Sequence, residues 1–125
     1  MQNVISIGVD LVDVSRFERV LQRTPRLADR VFTVEERREC GGRVTSLAAR
    51  WAIKEAVAKA LVDNTGHQWH DCRTTHGPMG EPIVELRGTV AHSARIRGIT
   101  GWHVSVSHDG GVAVAFVVAT GIAPT

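Results

Sequence analysis

The chain has 125 residues, 43% hydrophobic and 22% charged, a length and balance that suit one domain with a buried core and exclude a disordered chain. A net charge of only +2 argues against a general nucleic-acid binder. Cys40 and Cys72 form no CxxC pair and no disulfide framework, which fits a reducing cytosol. No signal peptide opens the chain, and the longest apolar run, Val112 to Ala119, is too short to span a bilayer. The expectation is a cytoplasmic protein with no membrane and no nucleic-acid partner.

In chain order, Val4 to Val9 is apolar and β-branched and predicts a strand closing at Gly8-Val9-Asp10. Ser15-Arg16-Phe17-Glu18 has the pattern of a capping box, with Ser15 as N-cap of a helix that ends before Thr24-Pro25. Five arginines (Arg16, Arg19, Arg23, Arg26, Arg30) stand against Glu18 and Asp29 in this stretch, a local excess that favours an acidic partner. Thr33-Val34-Glu35-Glu36 repeats the capping signature and opens a short helix that stops at Gly41-Gly42.

Val44 to Asp63 contains no Gly or Pro and is rich in alanine, which predicts the longest helix. A loop of Gly, His and Thr follows. Pro82 to Leu86 predicts a strand and Thr89 to Ile96 a helix. Trp102 to His108 and Val112 to Ala119 predict strands joined by a hairpin turn at Asp109-Gly110-Gly111. Segregated helices with a hairpin make the fold α+β, without repeats or linkers.

At 100° per residue the long helix carries two polar ridges, Ser46/Arg50/Lys54 and Glu55/Lys59/Asp63, on roughly opposite sides. A surface helix has one polar face, so at most one ridge is plain solvent-facing decoration. Glu55 and Lys59 read either as an exposed i,i+4 ion pair or as a carboxylate and an ammonium turned into a cleft. Asp10, after Gly8 at the end of a strand, reads alone as a turn acid. Taken with Glu55, a two-carboxylate Mg²⁺ site becomes a sensible reading, since Mg²⁺ takes one or two protein carboxylates and completes its shell with water and substrate phosphates.

Ser6-Ile7-Gly8-Val9-Asp10-Leu11, the run Leu47 to Ala60 with Lys54-Glu55-Ala56 and Lys59, Gly80-Glu81-Pro82 and His103 to His108 occur in that order. Together they resemble holo-acyl-carrier-protein synthases, the short bacterial phosphopantetheinyl transferases, over almost the whole chain. The resemblance implies a 4′-phosphopantetheinyl transferase fold, with the long central helix packed on a small, mostly antiparallel sheet. It implies transfer of the 4′-phosphopantetheine arm of coenzyme A to a serine of apo acyl carrier protein. Asp10 and Glu55 would be the Mg²⁺ ligands, Lys59 would contact the pyrophosphate, and Ser107 and His108 would lie beside the coenzyme. Arg50, Trp51 and Pro82 would stand near its nucleotide end. The carrier's acidic helix would dock on Arg16 and Arg23, in a homotrimer whose sites lie between subunits, so that His108 faces a neighbour's acid pair. Three positions depart from the family pattern: Ser6 where glycine is usual, Glu81 where a basic residue often precedes the proline, and Val62 where glycine commonly closes the helix.

Such a transfer asks little covalent chemistry of the protein. A serine oxygen attacks the β-phosphorus and adenosine 3′,5′-bisphosphate leaves, so neutralising phosphate charge and positioning the reactants do most of it. The base is open between a metal-bound water, Glu55 and His108. Two rivals remain. His67, His70, Cys72 and His76 have the residue types of a zinc site without an established spacing. The arginine segment suits RNA, but no aromatic platform is interleaved with it.

Overall fold

In the computed structural model, which describes residues 2–125, five helices and five strands follow one another as β1 (Asn3–Asp13), α1 (Val14–Arg23), α2 (Leu27–Val31), α3 (Val34–Cys40), α4 (Val44–Leu61), β2 (Cys72–His76), β3 (Pro82–Leu86), α5 (Gly88–Ile96), β4 (Ile99–Asp109) and β5 (Val112–Gly121). A 3₁₀ turn at Trp69–Asp71 precedes β2. All strand pairs are antiparallel: a three-stranded sheet ordered β1-β5-β4 and a separate β2-β3 ribbon. The architecture is the α+β arrangement expected, with α4 laid on the larger sheet.

Small side chains make that layer possible. On the face of β5 turned to α4 stand Ala113, Ala115, Val117 and Ala119, all fully buried, and Ala52, Ala56 and Ala60 answer them from the helix. Gly8 lies at the closest approach. A Cβ built on it would collide with the Ala56 carbonyl and crowd the Ala60 nitrogen. The other face of the sheet is open, with Ile7, Val9, Leu11 and Phe116 exposed. In the ladder Val9 pairs with Phe116 and Leu11 with Val114, so these side chains form one apolar surface.

Several local boundaries differ from the sequence reading. β1 does not stop at Asp10 but runs three residues further, because Leu11 and Val12 continue the ladder onto Val114 and Ala113. Asp10 is therefore an interior strand residue facing α4. The N-cap of α1 is Asp13, whose carboxylate accepts the Arg16 N–H at 2.9 Å, and Ser15 is already inside the helix. At α3 the capping box is complete: Thr33 Oγ1 accepts the Glu36 N–H, and Glu36 accepts the Thr33 N–H, both at 3.1 Å. The expected loop after α4 holds the 3₁₀ turn and β2, and α2 is an element the sequence reading did not predict. The hairpin turn is as expected, Gly110 and Gly111 both having positive φ.

α4 ends two residues earlier than the pattern predicts, in an unusual way. Val62 has φ 67° and ψ −65°, and the Asp63 N–H bonds the Leu61 carbonyl at 2.7 Å. That is the rare γ-turn, occupied here by a β-branched side chain for which positive φ is strained.

Candidate active site

Strand β1 and helix α4 cross at Gly8, and this close approach brings Asp10 and Lys59 together. The Lys59 ammonium donates to Asp10 Oδ1 at 2.9 Å and to the Val9 carbonyl at 3.1 Å. The expected alternative, an exposed pair between Lys59 and Glu55, is not what forms: among the described residues the ion pair of Lys59 is with Asp10. Glu55, one turn earlier, is half-buried in the same place. Burial pushes its carboxyl above the ordinary value, the facing Asp10 carboxylate pushes it further, and Lys59 pulls it back. Two neighbouring carboxylates that line one cavity, Glu55 held above its ordinary value partly by Asp10, are the donor set a hard divalent cation satisfies. These residues fit Mg²⁺.

That cavity, of about 250 Å³, is lined by the polar side chains of Asp10, Asp13, Arg16 and Glu55 and by the apolar ones of Phe17, Val20, Phe32 and Trp51, with Arg16 and Asp13 exposed at its mouth. Trp51 stacks on Phe17 with centroids 6.3 Å apart and meets Trp69 at 4.7 Å. Trp69 is a wall-supporting residue that sequence reasoning missed, because its position depends on the 3₁₀ turn.

A second, wider cavity of about 510 Å³ lies on the opposite side of α4, against the β2-β3 ribbon and β4. Arg50, Pro82 and His108 line it, together with Arg43, Ser46, Thr74 and His76. Arg50 is buried; its guanidinium donates to Glu39 at 2.9 Å and to the Thr74 carbonyl at 3.3 Å. Trp51 is not beside Arg50 and Pro82 but lines the acid-pair cavity. Ser107 and His108, adjacent on β4, point to opposite faces: His108 pairs with Ala113 on the α4 side, whereas Ser107 pairs with Val114 on the open apolar side. Within one chain the expected site residues therefore fall into two groups, Asp10/Glu55/Lys59/Trp51 and Arg50/Pro82/His108.

The other expected groups separate clearly. Arg16 stands at the mouth of the first cavity and Arg23 is exposed in the last turn of α1. Glu81 caps its own turn, accepting the Met79 N–H at 2.9 Å. His67 bonds Ser93 at 2.7 Å, His70 donates to the Asp29 carbonyl at 2.7 Å, and Cys72 is buried with its thiol pushed up to about 12 by desolvation. Among the described residues no group of three or more metal-ligating side chains converges. No described helix is long and apolar enough to cross a membrane.

This combination, an acid pair and a lysine gathered where a glycine lets helix meet strand, accompanies a clear relationship: the chain belongs to the 4′-phosphopantetheinyl transferase superfamily, which it matches over residues 6–117. It is similar to the holo-[acyl-carrier-protein] synthase of Kocuria rhizophila, with 54% identity over 116 residues, 93% of this chain and 92% of that protein. Among solved structures it resembles the acyl carrier protein synthase of Mycobacterium tuberculosis (31% identity, TM-score 0.75, 98% of this chain and 100% of that one). The Helicobacter pylori holo-[acyl-carrier-protein] synthase in complex with coenzyme A is also similar (29% identity, TM-score 0.80, 90% and 98%).

Proposed function

We propose that this chain transfers the 4′-phosphopantetheine arm of coenzyme A to a serine of an apo acyl carrier protein, in a Mg²⁺-dependent reaction that releases adenosine 3′,5′-bisphosphate. The observation that carries this reading is the pairing of Asp10 and Glu55 at one cavity, with the Lys59 ammonium bonded to Asp10, in a member of this superfamily. Asp10 and Glu55 would hold the cation, which when bound supplies positive charge to the phosphate oxygens and lowers their repulsion of the attacking serine. Lys59, with its side chain 55% exposed, keeps donors free for a pyrophosphate oxygen. The serine oxygen bonds the β-phosphorus as the bridging P–O bond breaks, and the serine proton passes to a base, Glu55 or His108.

The nucleotide end of coenzyme A would lie in the second cavity, with Arg50 and Pro82 beside it and His108 at its rim, and Trp51 would form the wall of the first. The split of these groups between two cavities, and the open apolar face of Ile7, Val9, Leu11 and Phe116, support a homotrimer with sites between subunits. His108 of one copy would then complete the acid-pair site of the next, with Ser107 close to that boundary. Arg16 at the cavity mouth and Arg23 on the same helix would receive the acidic helix of the carrier. The setting would be cytoplasmic fatty acid biosynthesis.

Incubation with coenzyme A, Mg²⁺ and an apo carrier protein tests the proposal. The carrier gains the mass of one phosphopantetheine arm and adenosine 3′,5′-bisphosphate appears in equal amount. A carrier of unchanged mass refutes it.

A further inference from the structure

One residue before Glu55, α4 carries a lysine that water does not reach. Lys54 is 2% exposed, and its ammonium is engaged by acceptors from three separate elements. These are Glu36 Oε1 of α3 at 2.9 Å, the Trp69 carbonyl of the 3₁₀ turn at 3.1 Å, and the Cys72 carbonyl of β2. Glu36 is equally enclosed, both side chains of the pair being 1% exposed, and its second oxygen accepts the Thr74 N–H at 3.4 Å.

Burying two charges is costly, and apolar groups of the same volume often hold a core at least as well. What the ammonium provides and a methyl group does not is direction. Three acceptors at fixed places allow α4 one rotational setting. Lys54 and Glu55 leave the helix about 100° apart, so the setting that satisfies Lys54 also aims Glu55 toward Asp10. The same ammonium holds the Trp69 carbonyl, and the Trp69 indole rests on Trp51, the wall of the acid-pair cavity.

We propose that Lys54 is a positioning residue for the acid pair, its ammonium orienting Glu55 through the rotation of α4 and Trp51 through the Trp69 carbonyl. This rests on the reading of Asp10 and Glu55 as cation ligands.

Lys54→Met alone would strand the Glu36 carboxylate in the core, so the test uses the double variant Glu36→Gln/Lys54→Met, which removes both charges and keeps the volume. Calorimetric titration with Mg²⁺ alone is expected to show affinity about ten-fold weaker than wild type, the size of effect seen when a partner behind a metal ligand is lost. Tryptophan emission should shift to the red as Trp69 loosens from Trp51. In transfer assays the half-saturating Mg²⁺ should rise by the same factor, with KM for coenzyme A changed little. Trp69→Leu, at a site 37% exposed and so tolerant of substitution, is the second variant. It leaves both charges in place and should also weaken Mg²⁺ binding. Wild-type Mg²⁺ affinity in the folded double variant overturns the role of Lys54, and in folded Trp69→Leu it overturns the branch that runs through Trp51. Absence of Mg²⁺ binding by the wild-type chain overturns the acid-pair reading itself, and this inference with it.

Discussion

The Lys59 ammonium and the Asp10 carboxylate, 49 residues apart in the chain, meet at 2.9 Å. Their meeting requires strand β1 and helix α4 to touch at Gly8, and it occupies the ammonium that the helix pattern alone would assign to Glu55. Glu55 faces Asp10 from a half-buried position; burial first and the Asp10 carboxylate second raise its carboxyl, and Lys59 offsets part of that.

The sign of that shift makes a prediction about stability. A carboxyl whose folded pKa lies above its ordinary 4.5 favours folding at low pH, and the benefit is lost as pH rises through the folded value. Above its ordinary range, ionising Glu55 works against the metal-free fold. Glu55→Gln should therefore raise Tm in chelator at pH 7.5, with the gap closing toward pH 4. Mg²⁺ should raise the Tm of wild type and leave the variant unmoved. Phosphopantetheine transfer in the variant should fall by about two orders of magnitude, through loss of a charged ligand at the phosphates. Equal Tm at all pH values would remove the electrostatic account of this site.

Gly8→Ala tests the close approach. Its methyl group would meet the Ala56 carbonyl, which belongs to helix backbone and cannot swing aside. Overpacking of this kind costs about 1–3 kcal/mol, and denaturant melts should show it. Because the collision lies between the elements that carry Asp10 and Lys59, transfer should drop more than the loss of folded protein explains.

Val62→Gly should act in the opposite sense. The γ-turn strains a β-branched residue, and Val62 is 75% exposed, so little burial is lost with its side chain. Relief of positive φ, less the entropy of the added glycine, leaves a gain of about 1 kcal/mol. A lower denaturation midpoint for the variant would argue that the Val62 side chain contributes packing that its exposure conceals.

Arg16→Glu reverses charge at the mouth of the acid-pair cavity. It should raise KM for the carrier protein about ten-fold or more while coenzyme A binding, followed by calorimetry, stays near wild type. Equal losses toward both substrates would take Arg16 out of carrier docking.

The shared site can be tested by mixing. Phe116→Asp places a charge in the open apolar face and should give monomers by sedimentation, with little transfer activity. Glu55→Gln and His108→Ala chains, each poorly active alone, should recover part of the activity when refolded together, because some assemblies then contain an intact pairing. No recovery in mixed assemblies would place His108 outside a neighbour's site.

Element types with a strong local cause were legible in the sequence. The capping box at Thr33, the uninterrupted alanine-rich helix, the two glycines of the β4-β5 turn and the strand at Pro82–Leu86 are specified by side chains within a few residues of where they act. The two ridges of α4 were legible as well, and the structure shows one of them, Arg50 and Lys54, buried. Weaker signals failed. β2 is five residues long, has β3 as its strand neighbour and is tied to the helices by Arg50, Lys54 and Glu36, and the 3₁₀ turn takes its place from Trp69 resting on Trp51 and from Lys54 holding its carbonyl.

The sequence by itself determined which residues could do chemistry: a strand acid after a glycine, and a helix bearing a carboxylate and a lysine one turn apart. Tertiary structure decided how they are used. Whether Lys59 turns to Glu55 or to Asp10, which polar ridge loses its water, and on which side of α4 Trp51 and Arg50 each come to lie depend on groups far away in the chain. Such contacts form only when β1 packs on α4, because a periodic pattern specifies the face of a helix and leaves open what that face will meet.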